Sequence, residues 1–440
     1  VGTAAKGDGD NNWWIAELAR IDLQTGALHR IAKPDYQMSF PRVSPDGRSV
    51  QFIGGLMSDF GAVGGDLYEA PLDGGTPVNK TPGYAGSFSA LYWRGGHLYA
   101  TGIKLDSSVL VKFNAERQDP VIVWSAKASA HAADGDVSLD AEGRHLAVVL
   151  EDFAHAPHIA AGDIASPRPI THDNDGLTVE LDVQSLTWKS DQLQVQGWLV
   201  GPAHPQPGKH PMIVHVHGGP SAAAMPSYGS DYSLYTSIHE WVDRGYYLLL
   251  PNPRGSYGQG EAYTAANRRD FGGGDLRDIL AGIDAAERVA PIDDTRIGLH
   301  GHSYGGFMAM WAITQTNRFR TAIAGAGLSN WISYYGTNGI DTWMLPFIGA
   351  SVYDDPEPYH AMSAIEHMKN VRTPALLYTG EADVEVPASQ SFEYWHALKT
   401  LGVPVQLHVY PGEGHLIRKP EHVLDLRRRL PAWFDQYLTP

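Results

Sequence analysis

The chain has 440 residues, more than one hydrophobic core comfortably serves, so two domains are expected. Its 43% hydrophobic and 19% charged residues are those of a globular protein, and a net charge of −16 argues against nucleic acid or an anionic membrane surface as the main partner. The absence of cysteine excludes disulfides, thiolate metal sites and a cysteine nucleophile. No run of about 18 apolar residues occurs, so no membrane span is expected. The opening VGTAAKGDGD lacks the pattern of a targeting segment and leaves the compartment open between cytoplasm and periplasm.

Residues 1–180 read as short β-strands separated by turn residues. PRVSPDGRSVQFIGG carries a Pro-Asp-Gly turn followed by alternating Val50 and Phe52, and DLYEAPLDGGTPVNKT repeats strand, turn and strand. ARIDLQTGALHRIA, DLYEAPLDGGTPVNKT, LVKFNAERQDPVIVWS and HIAAGDIASPRPITHD look like one hairpin recurring at intervals of about 46 residues. That period reads as β-propeller blades of four strands, with an irregular β-sandwich as the plainer alternative. About three and a half blades fit, whereas a propeller ordinarily has roughly four to eight, so this one is expected to be incomplete.

From 181 to 440 the pattern changes. After a leading hairpin come the apolar runs MIVHVH, YYLLLP, RIGLHG, TAIAGAG, PALLYTG and VQLHVYPG, suited to buried parallel strands. Helical stretches alternate with them, one beginning at Asp275 with Leu276, Ile279, Leu280 and Ile283 on one face. The expectation is an α/β-hydrolase domain, a doubly wound and mostly parallel sheet.

Gly301-His302-Ser303-Tyr304-Gly305 fits G-x-S-x-G between an apolar strand and the helix FMAMWAIT, the setting a nucleophile elbow needs. A serine hydroxyl requires a base, and the base an orienting acid, both placed downstream in this fold in the order Ser, acid, His. Asp383 lies just past one late strand and His415 just past the next. Glu381 and Glu385 are competing acids, otherwise solvated loop charges. HVHGGP follows the first buried strand, where the fold supplies an oxyanion N–H; the expected donors are the backbone amides of Gly219 and Tyr304.

Several motifs carry less. His215 and His217 alternate on a strand, but without a third ligand nearby zinc is not expected. GDGDNN at 7–12 fails the EF-hand pattern, because the twelfth position of a loop from Asp8 is Ala19. The three glycines at 272–274 lack the G-K-S/T of a phosphate loop and more simply let the backbone turn before the helix at Asp275. Neither metal nor cofactor is expected.

Together GWLVGP, HVHGGP, PNPRGSYGQG, FGGGDLRD, GHSYGGFMA, TGEADVEVP and YPGEGH resemble the prolyl oligopeptidase family of serine peptidases, nearest its acylaminoacyl-peptidase-like and dipeptidyl-peptidase-like bacterial branches. The resemblance implies a β-propeller capping an α/β-hydrolase domain, the triad Ser303, Asp383 and His415, and an oxyanion hole of Gly219 and Tyr304. It also places SNWISYYG on the substrate pocket, with Trp331 and Tyr334 as candidate lining residues, the alternative being ordinary core aromatics. Arg254 is expected to order its loop rather than bind substrate. Family propellers have more blades than this chain holds, so the remainder would lie in a longer protein or come from another chain or copy, unless the cap is reduced. The activity expected is hydrolysis of short peptides. A carboxylesterase or acyltransferase is the alternative on the same fold, and a non-catalytic propeller scaffold the alternative from another class.

Overall fold

The computed structural model describes residues 2–4, 11–131, 136–229 and 235–439. Most of the GDGDNN stretch lies outside them. The N-terminal half is built from antiparallel sheets in sequence order. The first has three strands, Gly2–Ala4, Glu17–Ile21 and Leu28–Ala32; the second has four, from Gln37–Val43 to Val78–Asn79. The third runs from Ser87–Arg94 to Val121–Ala126, and the fourth from Ser129–His131 to Arg168–Pro169.

Each sheet packs a face against the next. Leu18 and Ile31 of the first meet Val50, Phe52 and Ala70 of the second. Ile53 and Leu67 meet Phe88, Leu91 and Val109 of the third. Tyr99, Leu110 and Trp124 then meet Leu146, Val148 and Ala160 of the fourth. Strand Ser49–Gly55 is accordingly buried along its whole length. Face-to-face stacking of successive meanders is the construction of a β-propeller.

The second half is one eight-stranded sheet: β1 Leu181–Ser190, β2 Leu193–Pro202, β3 His210–Val216, β4 Tyr247–Asn252, β5 Ile292–His302, β6 Thr321–Gly325, β7 Ala375–Gly380 and β8 Val405–Tyr410. Its order is β1-β2-β4-β3-β5-β6-β7-β8, with β2 antiparallel to both neighbours and every later pair parallel. The helices used below are α1 Ile238–Asp243, α2 Gly274–Glu287, α3 Tyr304–Gln315, α4 Ala388–Thr400 and α5 Pro420–Leu438.

Strand alternation sends successive side chains to opposite faces, and both faces are covered. Met212 and Val214 of β3 join Ile279 and Ile283 of α2, Phe307 of α3 and Tyr394 of α4 on one side. Ile213 joins Trp241 of α1 and Leu430 and Phe434 of α5 on the other. This is the doubly wound α/β-hydrolase sheet, and the carboxyl ends of β5, β7 and β8 open on one rim, where such sheets build their sites.

Candidate active site

Ser303 stands between β5 and α3 with φ 60° and ψ −121°, left-handed backbone that a side-chain-bearing residue adopts only under constraint. The constraint is visible. The Ser303 amide donates to Gly325 O at 2.9 Å, and the Phe307 amide to Ser303 O at 2.9 Å. The turn tolerates no added carbon: a Cβ on Gly301 would fall 2.3 Å from the Gly305 backbone, and one on Gly305 2.0 Å from Val216 O. The motif glycines are therefore a packing requirement, and the result leaves the serine side chain at the head of the helix.

Asp383 lies in the loop after β7 and is 5% exposed. Its Oδ1 accepts the amides of Glu385 (2.9 Å) and Val386 (2.8 Å), which aims Oδ2 at Nδ1 of His415, 2.8 Å away. Of the competing acids, Glu381 accepts the Gly412 amide, and Glu385 approaches Nε2 of His415 only to 3.8 Å. Burial pulls the His415 pKa down, but its hydrogen bond to Asp383 and the charges of Asp383, Glu385 and Asp59 outweigh this and hold it above the usual histidine value.

The loop carrying His415 has an anchor that motif reading passed over. Glu413, 4% exposed, accepts the amides of Arg418 (3.1 Å) and Lys419 (2.9 Å) and receives Nδ1 of His422 at 2.7 Å. Burial alone would raise its pKa; these bonds hold it below the ordinary value. The signal was present as the acid in YPGEGH, but only the folded loop shows three donors converging on it.

The HVHGGP loop runs beside the elbow, with the Cβ position of Gly218 3.5 Å from Ser303 Cβ. Gly219 (φ 118°) and Tyr304 both border the recess at Ser303. A cleft of about 780 Å³ brings together Gly219, Ser303, Glu385 and His415 with Asp59, Phe60, Gly61 and Ala62 of the propeller. A narrower recess continues from Ser303 between Tyr334, Leu328, Ile340 and Trp343, closed on the propeller side by Trp14 and Phe60. Tyr334 thus reaches the recess. Trp331 does not border it: the ring is fully buried behind, against Phe271 (5.3 Å), Phe307 (5.1 Å) and Tyr334 (5.6 Å), and supports the wall. The contributions of Trp14 and Asp59–Ala62 carry no local motif and come from chain far away in sequence.

Neighbouring polar residues have structural partners. Arg254, 8% exposed, binds Asp278 through Nε (2.9 Å) and Nη2 (2.6 Å) and Asp191 through Nη2 (2.9 Å), which orders the loop after β4. His215 contacts His300 at 2.8 Å, and His217 contacts the Ser256 hydroxyl at 2.9 Å.

Sheet order, elbow and stacked β-meanders define an α/β-hydrolase domain joined to a β-propeller. The model of the prolyl oligopeptidase family matches residues 232–440. Among its relatives, the uncharacterized peptidase YuxL of Bacillus subtilis is 34% identical over 271 residues, covering 60% of this chain and 40% of its own length. The acylamino-acid-releasing enzyme of Arabidopsis thaliana is 31% identical over 236 residues, covering 52% and 30%. Dipeptidyl-peptidase 5 of Porphyromonas gingivalis is 30% identical over 236 residues, covering 52% and 34%. The chain thus spans less than half the length of these relatives. Among solved structures, Pyrococcus horikoshii acylaminoacyl peptidase shares the fold with a TM-score of 0.78 at 24% identity, covering 99% of this chain and 68% of that one.

Proposed function

We propose that the chain is a serine peptidase acting on short peptides through Ser303, His415 and Asp383. The observation that carries this reading is the 2.8 Å contact between His415 Nδ1 and a buried Asp383, on the same rim as a serine held in strained backbone. Ser303 Oγ attacks the substrate carbonyl while His415 Nε2 takes its proton. Asp383 keeps the opposite ring nitrogen protonated and steadies the imidazolium. The amides of Gly219 and Tyr304 receive the developing oxyanion. His415 then returns the proton to the leaving amine, and water releases the acyl group by the same route.

The preference for short substrates rests on the propeller residues Asp59–Ala62, which wall the cleft and leave little room for a folded protein. The apolar recess beside Ser303 suits the side chain preceding the scissile bond. Names of the relatives point to two substrate types, an acylated and a free amino terminus.

The test is hydrolysis of matched chromogenic substrates: a free-amine dipeptide anilide, an N-acylated single-residue anilide and a simple acyl ester. Ser303→Ala should lower anilide kcat by a factor on the order of 10⁶. A variant keeping a tenth of the activity would overturn the assignment of Ser303. Ester turnover alone would replace the peptidase by an esterase or acyltransferase.

A further inference from the structure

The motif FGGGDLRD has no part in the reaction above, yet it delivers a buried carboxylate to the residue next to the nucleophile. Asp275, fully buried in the first turn of α2, accepts the Tyr304 hydroxyl through Oδ2 at 2.5 Å and the Leu276 amide through Oδ1 at 2.9 Å. The three preceding glycines make this approach possible. A Cβ on Gly272 would fall 2.4 Å from Trp311 Nε1, one on Gly273 2.0 Å from Asp270 Oδ1, and one on Gly274 2.4 Å from Arg254 Nη1. Trp311 Nε1 donates to Gly272 O at 2.6 Å, and Asp270 Oδ2 accepts the Gly274 amide at 2.9 Å. The turn is pinned from both sides, and the heads of α2 and α3 are tied side chain to side chain.

A carboxylate at this depth is costly, and two apolar side chains would fill the same space without that cost. What the carboxylate adds is direction. Ser303 sits in strained backbone, which persists only where its surroundings over-determine it. Tyr304 is the next residue, borders the recess, and is held by Phe271 (5.2 Å) and Phe307 (5.3 Å) through its ring and by Asp275 through its hydroxyl.

We propose, on the reading of Ser303 as nucleophile, that Asp275 is a positioning residue: by holding the Tyr304 hydroxyl it fixes the Tyr304 backbone amide in the orientation that receives the oxyanion. Asp275 itself touches neither Ser303 nor the cleft.

The tether depends on charge. The groups facing Asp275 are Tyr304 from α3, Asp270 from the turn and Asp278 one turn along α2, the last already paired with Arg254. Burial raises the Asp275 pKa to about 7, opposed by the Tyr304 hydroxyl and Leu276 amide and reinforced by Asp278 and Asp270. Protonation replaces a charge-assisted hydrogen bond by a neutral one of about half the strength. His415 must be neutral to act as base, and its pKa is also raised. Protonation of His415 abolishes activity, whereas protonation of Asp275 leaves a weakened tether, so a partial loss of about tenfold is superimposed on the acid limb of His415.

Diisopropyl fluorophosphate tests this on the full chain without a known substrate. Ser303 Oγ attacks phosphorus, the P–F bond breaks, fluoride departs, the proton passes to His415, and the phosphoryl oxygen occupies the oxyanion position. Losing an oxyanion donor outright costs about 10²–10³, so a misaligned one in Asp275→Asn should slow the limiting inactivation rate about tenfold. The half-saturating concentration should stay within about threefold, and the partial, roughly tenfold step on the acid side should disappear, leaving the single limb of His415. Tyr304→Phe should lose the same factor, and the double variant no more than either alone. If Asp275→Asn does not fold, Tyr304→Phe carries the test. Wild-type inactivation rates in the folded variants, a loss confined to half-saturation, or an acid limb unchanged in shape overturns the role of Asp275. Labelling of Ser303→Ala, or a wild-type chain that resists the probe, overturns the reading of Ser303 instead.

Discussion

The Ser58 hydroxyl accepts a hydrogen bond from the Ser221 backbone amide at 2.9 Å, joining the propeller to the loop that carries Gly219. Both residues are buried, and the next two after Ser58, Asp59 and Phe60, wall the cleft. The cap is thus bonded to the Gly219 loop as well as lying over it. Ser58→Ala leaves the Ser221 amide buried without an acceptor, a cost of about 1–3 kcal/mol. Thermal melting should fall by a few degrees, and kcat/KM about two- to tenfold if half of that cost appears at the Gly219 loop. Anilide kinetics with a melting curve check it; full activity at a lowered melting temperature would make the contact purely structural.

Glu385 acts on His415 through charge. Its carboxylate, 3.8 Å from Nε2, favours the imidazolium and helps hold the His415 pKa above its usual value. Because the proposed base works in its neutral form, a raised pKa moves the acid limb of kcat/KM to higher pH. Glu385→Gln removes the charge and should shift that limb toward lower pH by a few tenths of a unit or more. A limb that moves upward, or not at all, contradicts the electrostatic coupling.

How much of this was written in the sequence depends on how local each constraint is. The elbow is legible because Gly301, Ser303 and Gly305 meet their steric requirements largely within one turn, aided by Val216 and Gly325 of the neighbouring strands. Asp383 and His415 were found from their places after late apolar runs, since a parallel sheet gathers the carboxyl ends of its strands on one rim. Blade period likewise follows from local turn chemistry at Asp46-Gly47 and Asp73-Gly74-Gly75. Trp331 and Tyr334 lie three residues apart on one short helix, and spacing alone cannot say which of two aromatics reaches a recess and which supports it. The partners of Ser221 and Glu261 on the propeller are more than 160 residues away, so nothing local announces them.

Glu261 sits at that same junction. Its Oε2 accepts the Leu56 amide at 3.1 Å, while its buried Oε1 has no hydrogen-bond partner among the described residues. Burial raises its pKa to about 8, opposed by the Leu56 amide and reinforced by Asp66. For an acid whose folded pKa lies above its unfolded value near 4.5, the stabilising proton is held by both states at low pH. As pH rises between those two values the unfolded chain releases it freely and the folded chain does not, so stability declines. Glu261→Gln removes the dependence. The variant should gain melting temperature relative to wild type as pH rises from about 5 to about 8. A difference that stays flat across this range refutes the assigned ionisation.

Glu413 separates position from charge at His415, the proposed base. It stands two residues before His415, and its carboxylate gathers the Arg418 and Lys419 amides and His422 Nδ1, while it is not among the charges that shift His415. A glutamine there has one acceptor oxygen and brings a donor toward groups that already donate. At least one buried N–H loses its acceptor, and the loop after β8 loses its fixed shape. Displacing a catalytic base by about 1 Å can cost on the order of 10²-fold, so Glu413→Gln should lower kcat by about ten- to a hundredfold with KM little changed. The acid limb should stay where it is, in contrast to Glu385→Gln. A shifted limb with intact kcat would assign Glu413 an electrostatic role and return the shape of the His415 loop to other contacts.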